Sequence, residues 1–66
     1  MLKTITCVYD SKEKVINTVD ELISWGLERE KIYTDDDRHE VKVMIPEAIE
    51  PAILHILKRH NPTQVR

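Results

Sequence analysis

Apolar and polar residues alternate along this chain with two different periods, and these periods predict its secondary structure. Segments 4–9 and 39–45 are rich in β-branched or aromatic residues and run with period two, which predicts strands. Segment 31–35 has the size and composition of a further strand, and the polar turn after it predicts a hairpin with 39–45. The alternation directs six residues toward a core: Ile5, Cys7, Tyr9, Val41, Val43 and Ile45.

A first amphipathic helix is predicted between the first two strands. Its apolar stripe at helical spacing consists of Val15, Ile16, Val19, Leu22 and Ile23. Asp10 and Glu13 have the spacing of a capping box, which predicts the start of the helix. Gly26 predicts a left-handed stop after Trp25, with Leu27 folding back on the helix. Trp25, at the margin of the stripe, is expected to close the end of the core, with an interface role as the alternative.

The segment from Glu47 to His60 predicts a second helix. Its apolar residues at helical spacing are Ile49, Ile53, Ile56 and Leu57. Pro51 is tolerated only in a first turn, so the regular helix is expected to begin near Glu50. Pro62 forbids continuation, and Thr63–Arg66 is extended, with a short last edge strand as one of its possible states.

The order of these elements, β-α-β-β-α with a short or missing fourth strand, predicts a ferredoxin-like (split βαβ) α+β sandwich. We expect a single domain over residues 1–66, with two helices on one face of an antiparallel sheet. The opposite face then lacks cover, and a short fourth strand leaves the edge of the first strand thinly protected, so either an edge or the open sheet face is expected to form a dimer surface. The sheet face is favoured, and the predicted homodimer face consists of Thr4, Thr6, Val8, Tyr33, Lys42 and Met44.

Composition narrows the class of protein further. A chain of 66 residues buries little core, and with one cysteine it has no internal disulfide. No signal-peptide or membrane-spanning run is present, so we expect a cytosolic protein with no membrane partner. The formal net charge of −2, and Tyr33 as the sole aromatic residue of the uncovered face, argue against nucleic acid as a partner.

Residues that could carry chemistry are sparse. Asp35, Asp37 and His39 could offer oxygen and nitrogen ligands to a divalent ion, but the glycine and distal glutamate of an EF-hand loop are absent. A solvated hairpin tip is the commoner outcome for such a turn. His55 and His60 lie five residues apart, which is wrong for paired ligation on a helix. Because Gly26 is the sole glycine, phosphate-binding loops are excluded, and we predict no catalytic residue and no cofactor.

The opening third of the chain resembles a known family. It has an apolar strand running into a tyrosine-aspartate-serine turn, then a helix ending in leucine, three residues, glycine and a hydrophobic residue. The matching residues are Val8, Tyr9, Asp10, Ser11, Leu22, Gly26 and Leu27. This pattern resembles the start of the YflT-like heat-induced general stress protein family. The resemblance implies a small cytosolic, stress-associated domain without an established activity.

Two functions remain open at this point. The first is a non-enzymatic homodimeric module with a structural, regulatory or partner-binding role, indicated by the thin core and the amphipathic uncovered face. The alternative is a small-ligand or divalent-metal sensor, with its site at the dimer seam or at the turn from Asp35 to His39. The first predicts an oligomer without any ligand, and the second predicts a rise in melting temperature with one.

Overall fold

The elements alternate between strands and helices along residues 1–66, all of which are described by the structure, a computed structural model. The strands are β1 (Leu2–Val8), β2 (Ile32–Asp35), β3 (Glu40–Pro46) and β4 (Gln64–Val65), and the helices are α1 (Lys12–Trp25) and α2 (Glu50–Arg59). Short 3-10 turns at Arg29–Lys31 and Glu47–Ile49 precede β2 and α2. The protein is therefore an α+β fold, as predicted. Neither helix has the length and apolar character needed to cross a membrane.

The four strands form one antiparallel sheet in the order β2-β3-β1-β4. In the central pair, Ile5 lies opposite Val43 and Cys7 opposite Val41, and all of these side chains are buried. The same core cluster takes Val15 and Leu22 from α1 and three residues from α2, which are Ile53, Ile56 and Leu57. Both helices therefore cover the face of the sheet that carries the predicted core residues.

Tyr9 belongs to the core but not to the first strand, which runs from Leu2 to Val8 and not from Thr4 to Tyr9. Its side chain is 2% exposed, and its hydroxyl donates a 2.8 Å hydrogen bond to the Leu57 carbonyl in α2. Its backbone N–H donates to the His39 carbonyl at 2.8 Å. The residue therefore ties the end of β1 to both α2 and the hairpin.

The start of α1 differs from the predicted capping box by one residue. Ser11 is the N-cap, and its hydroxyl accepts a hydrogen bond from the Lys14 N–H at 3.3 Å. Asp10 instead forms an ion pair with the Lys14 ammonium at 3.1 Å. Either residue has a suitable oxygen, and the extended backbone of Ser11 places its hydroxyl at the open amides.

The end of α1 confirms the predicted glycine stop. Gly26 has φ 119°, and the Leu27 N–H donates to the Leu22 carbonyl at 3.1 Å. This bond to the carbonyl five residues back is the 6→1 bond of a Schellman motif. Leu27 itself is buried, so the stop also contributes to the core.

The predicted apolar stripe of α1 is wrong on one side. Thr18 is fully buried, and its hydroxyl donates to the Lys14 carbonyl at 2.7 Å, which satisfies the buried group within the helix. Ile16 and Ile23 are instead 49% and 37% exposed. The reason is tertiary: α1 packs against both the sheet and α2, so its buried side is turned toward α2.

The end of the chain forms a short fourth strand, which is one of the states predicted for Thr63–Arg66. Val65 lies opposite Cys7 and Gln64 opposite Val8. Hydrogen bonds beyond the strand extend the pairing, since the Arg66 N–H donates to the Thr6 carbonyl at 2.6 Å and the Thr63 N–H to the Val8 carbonyl at 2.7 Å. Both neighbours of β1 in the sheet are thereby present. As predicted, α2 begins at Glu50 with Pro51 in its first turn.

Candidate functional site

The face of the sheet opposite the helices carries no covering element. The strand register places the six predicted face residues together there, with Thr4 opposite Met44, Thr6 opposite Lys42, and Tyr33 on the other side of Lys42. We call this surface the open face; it consists of Leu2, Thr4, Thr6, Val8, Tyr33, Asp35, Glu40, Lys42, Met44, Gln64 and Arg66. Tyr33 is 50% exposed, so this aromatic ring is available to another molecule.

One end of the open face is apolar. Leu2 is 56% exposed, and with Met44 and Pro46 it borders a groove of about 240 Å³. The far wall of this groove is formed by Trp25 and Ile49. Trp25 is 46% exposed, so it does not close the core as expected and lies at the surface beside the sheet. Aromatic and aliphatic side chains in this arrangement suit an apolar ligand or partner.

The other end of the open face carries charges of both signs. Arg66 Nη2 lies 3.2 Å from Glu40 Oε2, across the width of two strands. Lys42 is exposed beside them, and Asp35 lies opposite Glu40 in the hairpin. These four side chains carry two positive and two negative charges, so this end of the face has no net charge.

The predicted metal-ligating residues are not brought together as a site. Asp35 uses its Oδ1 to accept hydrogen bonds from the Asp37 N–H at 3.0 Å and the Arg38 N–H at 3.3 Å. His39 adopts a left-handed conformation with φ 52°, which closes the hairpin. No group of three or more His, Cys, Asp or Glu side chains is placed to hold a metal ion. The acidic residues therefore shape the turn.

The polar contact between the two helices centres on Glu21. Its Oε1 lies 2.7 Å from His60 Nε2, and its Oε2 lies 3.0 Å from Arg59 Nη1. His60 thus contacts α1 as well as ending α2, a pairing that the sequence alone did not indicate. His55 lines a shallow groove between the helices together with Glu21, Trp25 and Arg59. The spacing of His55 and His60 predicts that they are not paired ligands, and no group of three or more potential metal ligands includes either one.

The single cysteine is an unreactive core residue. Cys7 is fully buried in the centre of the sheet. Burial raises the pKa of its thiol above the usual value, and a Tyr9 hydrogen bond and the Lys58 charge offset this only in part. Because the thiolate is the nucleophile, a raised pKa together with burial argues against a catalytic thiol.

A second surface with functional features lies along β2, at the outer edge of the sheet. A groove of about 230 Å³ separates this strand from α1. Ile16 and Val19 line its helical wall, and Ile32 and Thr34 line its strand wall. Asp20, Arg29 and Asp36 provide the charged margin. This groove was not predicted, because Ile16 was assigned to the buried stripe of α1.

Comparison with protein-family models, with curated proteins and with solved structures gives no match to this chain. The resemblance of residues 8–27 to the YflT-like family therefore stays a prediction. Three surfaces are therefore the candidate sites: the open face, the β2 edge and the apolar end groove.

Proposed function

We propose that this chain is a non-enzymatic ferredoxin-like module that works in the cytosol as a homodimer, with a structural, regulatory or partner-binding role. The element order β-α-β-β-α-β, together with β3 lying between β1 and β2, supports the ferredoxin-like assignment. The open face supports the dimer. In this proposal the partner on that face is a second copy of the same chain.

The observation that carries the proposal is an uncovered sheet face that combines apolar exposure with balanced charge. Its apolar end exposes Leu2 and its outer strand exposes Tyr33, while its charged end sums to zero and so does not repel an identical face. Removing Leu2 and Tyr33 from water on association is favourable by about 25 cal/mol per Å² of apolar surface.

The size of the face sets how much of it a dimer would bury. The four strands hold 7, 4, 7 and 2 residues, and at about 3.4 Å per residue and about 4.8 Å per strand their projected area is about 330 Å². A standard interface buries about 800 Å² of accessible surface per partner. Accessible surface exceeds the flat projection because side chains stand out from the sheet, and a face-to-face dimer would use the whole open face together with the apolar end groove.

The test is the mass of the protein in solution with a charge placed on the face. Thr4→Arg changes a residue that is already exposed in the single chain, so the monomer tolerates it. The matched control is Asn17→Arg, an exposed position on α1. Light scattering after size exclusion is expected to show wild type and control above 7.8 kDa, with Thr4→Arg reduced in mass. A wild-type mass of 7.8 kDa at every concentration would refute the proposal.

A second candidate, a small-ligand sensor, is favoured by the apolar end groove. Its volume of about 240 Å³ is smaller than the roughly 300 Å³ at which ligand pockets usually begin. A second copy on the open face would extend its walls beyond Leu2 and Met44. The probe is 1-anilinonaphthalene-8-sulfonate, with Trp25 fluorescence as readout: quenching in wild type but not in Met44→Arg supports the site, and equal quenching in both excludes it.

A further inference from the structure

The outer edge of β2 is an unpaired strand edge of four residues. β2 is the last strand of the sheet, so about half of its backbone N–H and C=O groups point away from β3. The opposite edge differs, because β4 has two residues and follows Pro62 closely. β2 contains neither proline nor a bulge in its pairing with β3. Such an edge can accept another strand.

An apolar flank of α1 lies beside this edge. Ile16 and Ile23 are seven residues apart and so lie on the same side of the helix. Glu21, which contacts α2 through Arg59, is five residues from Ile16 and therefore about 140° around the helix. The exposed flank consequently faces away from α2, and Ile16 lines the groove above β2. An incoming strand would meet backbone hydrogen-bonding groups and an apolar wall together.

The charges along β2 change sign from its start to its end. Residues 29–31 contain two basic side chains and one acidic, whereas residues 35–37 are all aspartate, giving +1 and −3. None of the basic or acidic side chains in these two segments forms an ion pair within the chain. An edge that carries charges of one sign repels a second copy of itself. This order of charges attracts an antiparallel copy, because each basic end then meets an acidic end.

We propose that the β2 edge and the flank of α1 bind the same surface of a second copy, in an antiparallel pairing about a twofold axis at Tyr33. Directly opposed residues of an antiparallel pair have their side chains on the same face of the sheet. A twofold axis perpendicular to the sheet must therefore pass between one residue and its own copy, and not between two successive residues. With Tyr33 on the axis, Ile32 lies opposite the second copy's Thr34, and Lys31, the last residue of the 3-10 turn before β2, lies beside the second copy's Asp35. Aromatic pairs and pairs of opposite charge are the favourable cross-strand contacts.

The register shifted by one residue toward the end of β2 has less favourable contacts. With Thr34 on the axis, Ile32 would lie opposite Asp36 and Tyr33 opposite Asp35. The aromatic pair of Tyr33 and the pair of Lys31 with Asp35 would both be lost. In the Tyr33 register the two α1 flanks lie on the same side of the joined sheet, above the Ile32 and Thr34 side chains. Ile16 and Ile23, exposed in one chain, would then gain apolar neighbours.

The edge interface uses the backbone of β2 and the flank of α1, whereas the face-to-face interface uses the open face; Tyr33 and Asp35 belong to both, and Lys31 also lines the apolar end groove. Edge pairing leaves the open face accessible and joins two four-stranded sheets into one of eight strands. Both interfaces together give an assembly larger than a dimer, with four 7.8 kDa chains if the two twofold axes intersect. Either interface alone gives a dimer, and because Thr4 lies only on the face and Ile16 only on the edge flank, substitutions at these two residues tell those dimers apart.

The decisive experiment reverses the charge of Lys31 in chains that already carry Thr4→Arg. The Thr4→Arg substitution removes the face-to-face contact from the measurement. Sedimentation equilibrium is expected to show a dimer for Thr4→Arg alone. Adding Lys31→Asp places like charges opposite each other at two positions, so the dissociation constant is expected to rise about tenfold or more. Adding Asp35→Asn as well removes the like-charge pairs and keeps the Oδ1 acceptor that the Asp37 and Arg38 N–H groups use in the turn, so the dissociation constant should fall back toward its starting value.

A second pair of variants tests the apolar flank. Ile16→Asp should weaken the edge dimer about tenfold or more, while Asn17→Asp, the neighbouring exposed position with the same added charge, should leave it unchanged. Amide hydrogen exchange adds a readout that a merely destabilised monomer does not give. The outward amides of β2 should exchange more slowly as protein concentration rises.

Two results would overturn the edge proposal while leaving the face-to-face dimer intact. One is a Thr4→Arg chain that stays monomeric at millimolar concentration with β2 exchange independent of concentration. The other is an edge dimer whose dissociation constant is unchanged by Lys31→Asp and by Ile16→Asp. Conversely, a wild-type dimer that Lys31→Asp dissociates and Thr4→Arg does not would refute the face and support the edge.

Discussion

The Tyr9 hydroxyl is a buried group whose contribution to stability can be predicted as a function of pH. It donates to the Leu57 carbonyl at 2.8 Å, inside a core from which water is excluded. Burial raises the pKa of Tyr9 from 10.0 to about 12, with a smaller opposing effect from the neighbouring Thr18 hydroxyl. The neutral phenol is therefore favoured in the folded protein.

The size and sign of the effect follow from this shift. A rise from 10.0 to about 12 corresponds to about 3 kcal/mol of free energy of unfolding. Because the pKa is raised in the folded state, this stability is fully present below pH 10, the unfolded value. It is lost as pH rises from 10 to about 12.

Tyr9→Phe separates this effect from other alkaline changes. At pH 7 the variant should be less stable by about 1–2 kcal/mol, because the Leu57 carbonyl loses its buried donor. Above pH 10 wild type loses stability through Tyr9 and the variant does not, so their curves should cross before pH 12. Cys7, whose pKa is also raised, is present in both chains and largely cancels in the difference.

The assay is urea unfolding followed by circular dichroism at pH 7, 9, 10, 11 and 12, with the free energy compared at equal chain concentration. Equal concentration matters because association would add to the apparent stability. A constant stability difference between Tyr9→Phe and wild type from pH 7 to 12 would show that Tyr9 does not titrate differently on folding.

Three further predictions concern Gly26, the start of α1 and Cys7. Gly26→Ala should cost about 1–2 kcal/mol through backbone strain alone, since φ is 119° and no atom lies within 4 Å of the added carbon; urea unfolding would measure it. Ser11→Ala should cost about 1 kcal/mol as loss of the N-cap, whereas Asp10→Ala should cost a few tenths, and equal losses would contradict the assignment of Ser11. Cys7 should react with a thiol reagent only as fast as the protein unfolds, and immediate modification of native protein would disprove its burial.

Local chemistry explains which parts of the fold were predictable from the sequence. The alternation of Val41, Val43 and Ile45 admits one buried face, and all three side chains are fully buried. Gly26 is the sole glycine and lies after an apolar helical stripe, so the helix end could be placed to the residue. In both cases the signal is contained within a few neighbouring residues.

The orientation of α1 could not be predicted in the same way. Helical periodicity identifies a wide stripe from Val15 to Ile23, but the position of α2 decides which side of that stripe is buried. The contact between Glu21 and His60 joins residues 39 positions apart in the chain. Thr18 looks polar in sequence, yet its hydroxyl is satisfied by the Lys14 carbonyl, so its burial leaves no unpaired group.

The candidate site combines both kinds of information. The six predicted open-face residues follow from strand alternation, and the strand register brings all of them together. The charge order of residues 29–37 is also legible in the sequence, but it has no consequence until β2 is known to be the outer strand. Strand order depends on contacts between distant parts of the chain, whereas the charge pattern is local. An antiparallel copy of β2 would use both features, because it pairs the free edge of the outer strand and brings Lys31 beside Asp35.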